Sequence, residues 1–296
     1  MENFILTCES TVDMPYSSLK ERGIPVLFYS YTVRGEEYAD DMLRDDEALP
    51  RFYRFLEEGE LPVTSQINEY QYEAFLEEQL RRGDVLHIAF GSGMTQSVHN
   101  AEKAAEKLRA RHPERKLIVL DSLCSSTGYG MLVDDAADLR DAGEPIEAVA
   151  EYVLQNRQHI HHQFFSTELK HYRRSGRMSG ATAMIATILG ICPIMRLDDR
   201  GRILAYGKVR GKKNAIKTTL DTMEQHADGG TDYTGKCFIC HSNCPAEAEA
   251  TREAVAARFP HIKGEIRICD IGTIIASHCG PGTVAVFFHG DQRAPE

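Results

Sequence analysis

The sequence predicts an α/β protein of two domains: an α/β/α layer built on a parallel sheet, then a two-layer α/β domain with a mixed sheet. Three observations carry this. Short apolar runs alternate with helix-forming segments as far as about residue 141, the pattern of a parallel sheet. Beyond about residue 160, apolar runs joined by tight turns are mixed with helices. A length of 296 residues is enough for two cores, here divided as 1–160 and 161–296.

The elements follow in order. Phe4–Thr7 starts a strand that hands over to Ser10 and Thr11, with Ser17 and Ser18 as candidate helix caps. Ile24–Val33 reads as one apolar strand, and the acidic stretch Glu36–Asp41 as a solvated turn. A helix is expected over Asp46–Glu58, a loop over Leu61–Gln66 and a second helix over Asn68–Arg82. Asp84–Phe90 is a buried strand, rich in Val, Leu, Ile and Phe, and a helix follows from Val98 to Arg109. Lys116–Leu120 is a further strand, leading to helices ending near Asp141 and spanning Pro145–Gln158.

In the second half, Gln163–Thr167 is a strand, Met184–Leu189 a buried helix, and Cys192–Leu197 a strand turning at Asp198–Gly201 into Ile203–Val209. Cys237–His241, Glu265–Cys269 and Val284–His289 are strands, with a helix over Pro245–Arg258. The apolar run from Met178 to Met195 is either ordinary core or the wall of a long apolar pocket, in which methionine adapts to a chain-like ligand.

Composition limits the function. The net charge of −10, from 34 basic and 44 acidic side chains, disfavours broad nucleic-acid or anionic-membrane binding. No apolar run approaches the roughly 18 residues of a membrane span. The first residues show no signal-peptide pattern, so a cytoplasmic protein is expected, with its eight cysteines reduced. Glu168–Ser179 is a local exception, with five Lys, Arg or His residues among twelve.

One stretch organises the first half. The strand Asp84–Phe90 runs into Gly91-Ser92-Gly93 and then a helix, which places free backbone N–H groups and the positive helix end around Ser92. No acidic side chain occurs from Phe90 to Ala101, so the segment suits an anion. Thr64, Ser92 and Ser122 all fall on loops where parallel sheets hold ligands.

Other constellations are weaker. Ser92 and His278 with an aspartate would make a hydrolase triad, but the Gly-x-Ser-x-Gly elbow is missing. Cys237, Cys240, His241 and Cys244 have metal-like spacing. Residues three apart on a strand point to opposite faces, however, which favours incidental thiols. His159, His161 and His162 are expected to face solvent. No nucleotide fingerprint is present, so no catalytic residue, cofactor or metal is assigned.

Six motifs together carry a resemblance: Ser10-Thr11-Val12-Asp13-Met14-Pro15, Thr64-Ser65-Gln66, Gly91-Ser92-Gly93-Met94, Asp121-Ser122 with Ser126-x-Gly128-x-Gly130, Gly176-Arg177-Met178-Ser179, and His278-x-Gly280-Pro281-Gly282-Thr283. In this order, over nearly the whole chain, they resemble the DegV family of bacterial fatty-acid-binding proteins, some of which are acyl-carrying subunits of fatty acid kinase.

The resemblance implies a long-chain fatty acid held in a cleft between the domains, its tail in the second and its carboxylate near the cleft. By motif, Thr64, Ser65, Ser92, Gly93 and His278 would surround the carboxylate, with Ser92 bonding it directly. Arg177, with Arg173 and Arg174 in the basic island, would dock an acidic kinase subunit. The protein would then be a carrier rather than an enzyme, with no stable membrane insertion. The alternatives are a serine-dependent acyl esterase or thioesterase using Ser92 and His278, and a metal-binding regulator using the cysteine cluster. Four motifs depart from the family pattern: Glu9 stands for aspartate, Gly91 for serine, Thr95-Gln96-Ser97 for Ser-Gly-Thr, and Ser175 for glycine.

Overall fold

A computed structural model describes residues 4–178 and 190–295. The first sheet is parallel, in the order β2-β1-β6-β7, from β1 (Ile5–Glu9), β2 (Val26–Leu27), β6 (Val85–Ala89) and β7 (Leu117–Asp121). All five residues of β6 are buried, as expected of a strand covered on both faces. Helices α3 (Glu69–Leu80) and α4 (Ser97–Arg111) cover one face, α5 (Ser126–Asp141) and α6 (Ile146–Asn156) the other. Helix α3 begins at a capping box, in which Asn68 and Gln71 satisfy each other's backbone N–H groups.

The second sheet has six strands in the order β10-β9-β8-β13-β11-β12. These are β8 (Ile160–Ser166), β9 (Ile191–Leu197), β10 (Ile203–Arg210), β11 (Cys237–His241), β12 (Arg267–Asp270) and β13 (Thr283–His289). Only β11 and β12 pair in parallel, so the sheet is mixed. Helices α8 (Lys212–His226) and α9 (Pro245–Arg258) cover its outer face, and α5 lies against its inner face.

Helix α5 is therefore pressed between the two sheets, and its glycines make room for this. A Cβ on Gly128 would lie 2.4 Å from His162 Nε2, and one on Gly130 would lie 2.7 Å from the Val12 carbonyl. The first glycine faces the mixed sheet and the second faces the 3-10 turn Ser10–Val12.

A small antiparallel sheet, β4-β3-β5, adds β3 (Ser30–Val33), β4 (Glu36–Ala39) and β5 (Val63–Ser65). Short helices α1 (Tyr16–Glu21), α2 (Ala48–Glu57), α7 (Lys170–Ser175) and α10 (Thr273–Cys279) complete the described residues. Helix α10 packs on β3, β5 and α7, joining the end of the chain to its beginning.

Several expectations are corrected. Ile24–Val33 is not one strand: it breaks at Phe28-Tyr29, where the Tyr29 N–H donates to Ser10 Oγ, and its halves join different sheets. Glu36–Ala39 is a strand rather than a turn, and Asp40 is buried because it accepts bonds from the Thr273 N–H and hydroxyl. The loop Leu61–Gln66 contains β5, paired with β3. His161 and His162 do not face solvent; both lie in β8, buried by α5 and β13. Helices α7, α8 and α10 have no counterpart in the elements expected from sequence. The helix expected over Met184–Leu189 lies outside the described residues.

Candidate functional site

The inner face of the mixed sheet forms one wall of a cavity of about 920 Å³, its open mouth included. Side-chain alternation selects the residues. On β13, Thr283, Ala285 and Phe287 face the cavity, while Val284, Val286 and Phe288 join the core under α8 and α9. On β8, His162 and Phe164 face inward and Phe165 outward. Leu197, Ile203 and Cys240 extend this wall.

The opposite wall comes from the carboxyl ends of the parallel strands, where open α/β sheets hold ligands. Phe90 follows β6, Met94 and Thr95 precede α4, and Ser125 precedes α5. Ile274, Ile275 and His278 enter from α10, and Tyr172 and Ser175 from α7.

One group of polar residues is linked across the cavity wall. Thr64, at the centre of β5, meets His278 with 2.9 Å between Oγ1 and Nε2. Ser65, Gln66 and Arg177 line the cavity with them. Burial, with Arg177 and Arg174 nearby, lowers the His278 pKa to about 4, so the imidazole is neutral at pH 7. Arg177 is half-buried and donates from Nη1 to the Ser175 carbonyl at 2.5 Å. Burial lowers its pKa, and no carboxylate contributes to that shift. Arg177 is the one charged residue lining the cavity among the described residues. An apolar chamber with a neutral hydroxyl–imidazole pair and one cation in its lining suits an amphiphile with an anionic head.

His278 is positioned from a distance. Asp13, in the left-handed region at φ 49°, accepts the Gly272 N–H at 2.9 Å and the Ser126 hydroxyl. Asp40 accepts the Thr273 N–H at 3.1 Å and its hydroxyl at 2.8 Å. Two acids from the first half thus hold the start of α10, whose last turn carries His278. Burial raises the pKa of both.

Of the residues singled out in the sequence, Thr64, Ser65, His278 and Arg177 come together at the cavity. Ser92 and Gly93 stand apart from its lining. The Ser92 N–H donates to Asp121 Oδ1 at 3.0 Å, and Gly93 is packed where a Cβ would lie 2.3 Å from the Gly201 carbonyl. His278 is paired with Thr64, and no Ser92–His278 dyad forms. Arg173 and Arg174 are exposed on α7.

The loop residues that reach the cavity are Met94 and Thr95, the latter carrying no binding role in the sequence motifs; its hydroxyl donates to Ser97 Oγ at 3.1 Å. The departures at Gly91 and Glu9 have structural reasons. A Cβ on Gly91 would lie 2.6 Å from the Cys124 carbonyl. Glu9 is fully buried and accepts the Phe90 N–H at 3.0 Å, with Tyr29, Tyr72 and His87 around it. It therefore anchors the loop from beneath.

All eight cysteines are free thiols. Among the described residues, the cysteine cluster does not gather as a possible metal-ligand group; Cys240 instead meets Ser126 at the cavity wall.

Residues 4–291 match the family model described as "Uncharacterised protein, DegV family". The chain belongs to the DegV family. A DegV domain-containing protein of Clostridium perfringens is 32% identical to it over 297 residues, covering 100% of both chains. A DegV-family protein of Thermus thermophilus, whose structure is described as binding fatty acid, is 25% identical; it superposes with a TM-score of 0.86 over 98% of this chain and 100% of that one. The DegV fatty-acid-binding protein of Bacillus subtilis, 24% identical with a TM-score of 0.82 over 98% and 99% of the two chains, shares the fold. No helix among the described residues is long and apolar enough to cross a membrane.

Proposed function

We propose that this DegV-family chain carries one long-chain fatty acid in the cavity and presents its carboxylate to a partner kinase for acyl-phosphate formation. The observation that carries the reading is the gathering of Thr64, His278 and Arg177 in a chamber whose exposed surface is mostly apolar. Burying the tail contributes about 0.8 kcal/mol per methylene, so the chain supplies the affinity and the polar group sets the direction.

The carboxylate lies among the Thr64 hydroxyl, the His278 imidazole and the Arg177 guanidinium, with Thr95 in place of Ser92 as the polar side chain that faces the cavity from the β6–α4 loop. Ser92 and Gly93 shape that loop from outside the cavity. The relatives support the occupant: structures of DegV-family proteins are described with fatty acid, including heptadecanoic, vaccenic and stearic acid. Arg173 and Arg174, exposed on α7 beside Arg177, form the docking surface for an acidic face of the kinase. The kinase acts in the cytoplasm, and the carrier itself supplies no catalytic group. The parts before and after about residue 160 act as two domains closing on the lipid.

Competition against a bound fluorescent fatty acid tests the head-group assignment. Unlabelled fatty acids displace the probe, and fatty alcohols of equal length do so far more weakly. Equal displacement by acid and alcohol would remove the carboxylate from the account.

A further inference from the structure

On the face of the mixed sheet turned away from the cavity, three possible metal-ligand side chains converge from three elements. His161 lies in β8, His226 in the last turn of α8 and Asp291 two residues beyond β13. His161 Nε2 lies 3.0 Å from Asp291 Oδ1, and His226 Nδ1 lies 3.1 Å from each Asp291 carboxylate oxygen. One ligand atom from each residue falls within 4.8 Å of the other two. The two imidazoles are stacked, their centroids 5.1 Å apart and their planes 23° apart, so both turn ring nitrogens toward the carboxylate.

We propose that His161, His226 and Asp291 bind one zinc ion. With zinc–nitrogen and zinc–oxygen bonds of about 2.0–2.2 Å, adjacent ligands of a tetrahedral ion lie about 3.3 Å apart. The two measured separations are close to that spacing. Two imidazoles and a carboxylate suit zinc, and three protein ligands leave a position for water or an exogenous ligand. Zinc would take the lone pairs of His161 Nε2 and His226 Nδ1, with each ring carrying its proton on the other nitrogen.

The backbone holds the three carriers together without metal. The Asp291 N–H donates to the His226 carbonyl at 3.0 Å, and the Gly290 N–H donates to the His159 carbonyl at 2.9 Å. His161 is fixed from behind by stacking on Phe288, with 5.0 Å between centroids. A Cβ on Gly290 would lie 2.1 Å from the His226 carbonyl, so glycine is what lets the segment after β13 close over α8. The ligands are thus preorganised on rigid elements, and their convergence has no part in the fatty-acid site. Zinc bound here pins the segment after β13 to β8 and α8.

The test uses tag-free protein, stripped with a chelator, exchanged into clean buffer and titrated calorimetrically with zinc. One zinc per chain is expected. Cobalt, as a spectroscopic substitute, would give the visible absorption of a low-coordinate site. Both His226→Ala and Asp291→Asn change side chains with solvent exposure. Each should weaken binding beyond the roughly 10–100-fold that losing an outer partner of a metal ligand costs. The exposed His261→Ala variant should bind as the parent does. Circular dichroism confirms that each variant is folded, and fatty-acid uptake remains as in the parent. Absence of stoichiometric zinc uptake by the folded parent, or parental affinity in both ligand variants, would overturn the assignment.

Discussion

Thr64 and His278 stand 214 residues apart in the chain and meet at 2.9 Å at the cavity wall. Their pairing joins β5 of the small sheet to α10. Replacing Thr64 by valine keeps the shape and removes the hydroxyl. A hydrogen bond of this kind contributes about 0.5–1.5 kcal/mol, so fatty-acid affinity should fall by about 2- to 10-fold with the fold intact. Fluorescence titration of the folded variant measures this.

The β6–α4 loop separates two hydroxyls by position. Thr95 lines the cavity and Ser92 does not. Thr95→Val should weaken fatty-acid binding, while Ser92→Ala should leave it within about 2-fold of the parent, since surface changes away from the ligand have small effects. A larger loss for Ser92→Ala than for Thr95→Val, in the same titration, would reverse the assignment.

Compression of α5 between the sheets makes Gly128 a sensitive position. An added methyl would meet His162 Nε2 at 2.4 Å and Phe287 Cδ1 at 2.6 Å, and both side chains are held by their own packing. Gly128→Ala should cost about 1–3 kcal/mol through overpacking, read as a lower urea midpoint. Because His162 and Phe287 also line the cavity, ligand affinity should fall with it.

Acid should destabilise the protein through its buried imidazoles. Burial, the largest cause in each case, lowers the pKa of His278 and His161 from 6.5 to about 4. The unfolded chain takes up protons from about pH 6.5, and the native state resists until about pH 4. The stability these neutral groups contribute is therefore complete above the upper value and lost as pH falls through the lower one. Urea midpoints measured across that window should decline, and His278→Gln should make the decline shallower.

Much of this arrangement is visible in the residues themselves. Asn68 and Gln71 announce the start of α3, Asp198–Gly201 announces the β9–β10 hairpin, and Asp84–Phe90 declares a doubly covered strand. Local chemistry decides each of these. Asp40 shows what local chemistry leaves out: amid acidic neighbours it reads as solvated, yet Thr273, 233 residues away, buries it. The seven residues of α10 are too few to show a periodicity, so the helix carrying His278 is revealed only by its packing. Ser92 and Thr95 share one loop, and which hydroxyl enters the cavity depends on the turn that closes through the Met94 and Thr95 N–H groups onto the Gly91 carbonyl.

Reversing the charge at Arg173, by Arg173→Glu, should separate carrying from delivery. The side chain is exposed on α7 and outside the cavity lining, so fatty-acid uptake and folding should remain as in the parent. Acyl-phosphate formation with the partner kinase and labelled ATP should fall sharply.

Native mass spectrometry of the purified chain, before and after delipidation and reloading with one defined fatty acid, reaches the central claim most directly. The account predicts a mass increment of one fatty acid per chain, restored after reloading. A chain that purifies empty and takes up no fatty acid on reloading would contradict it.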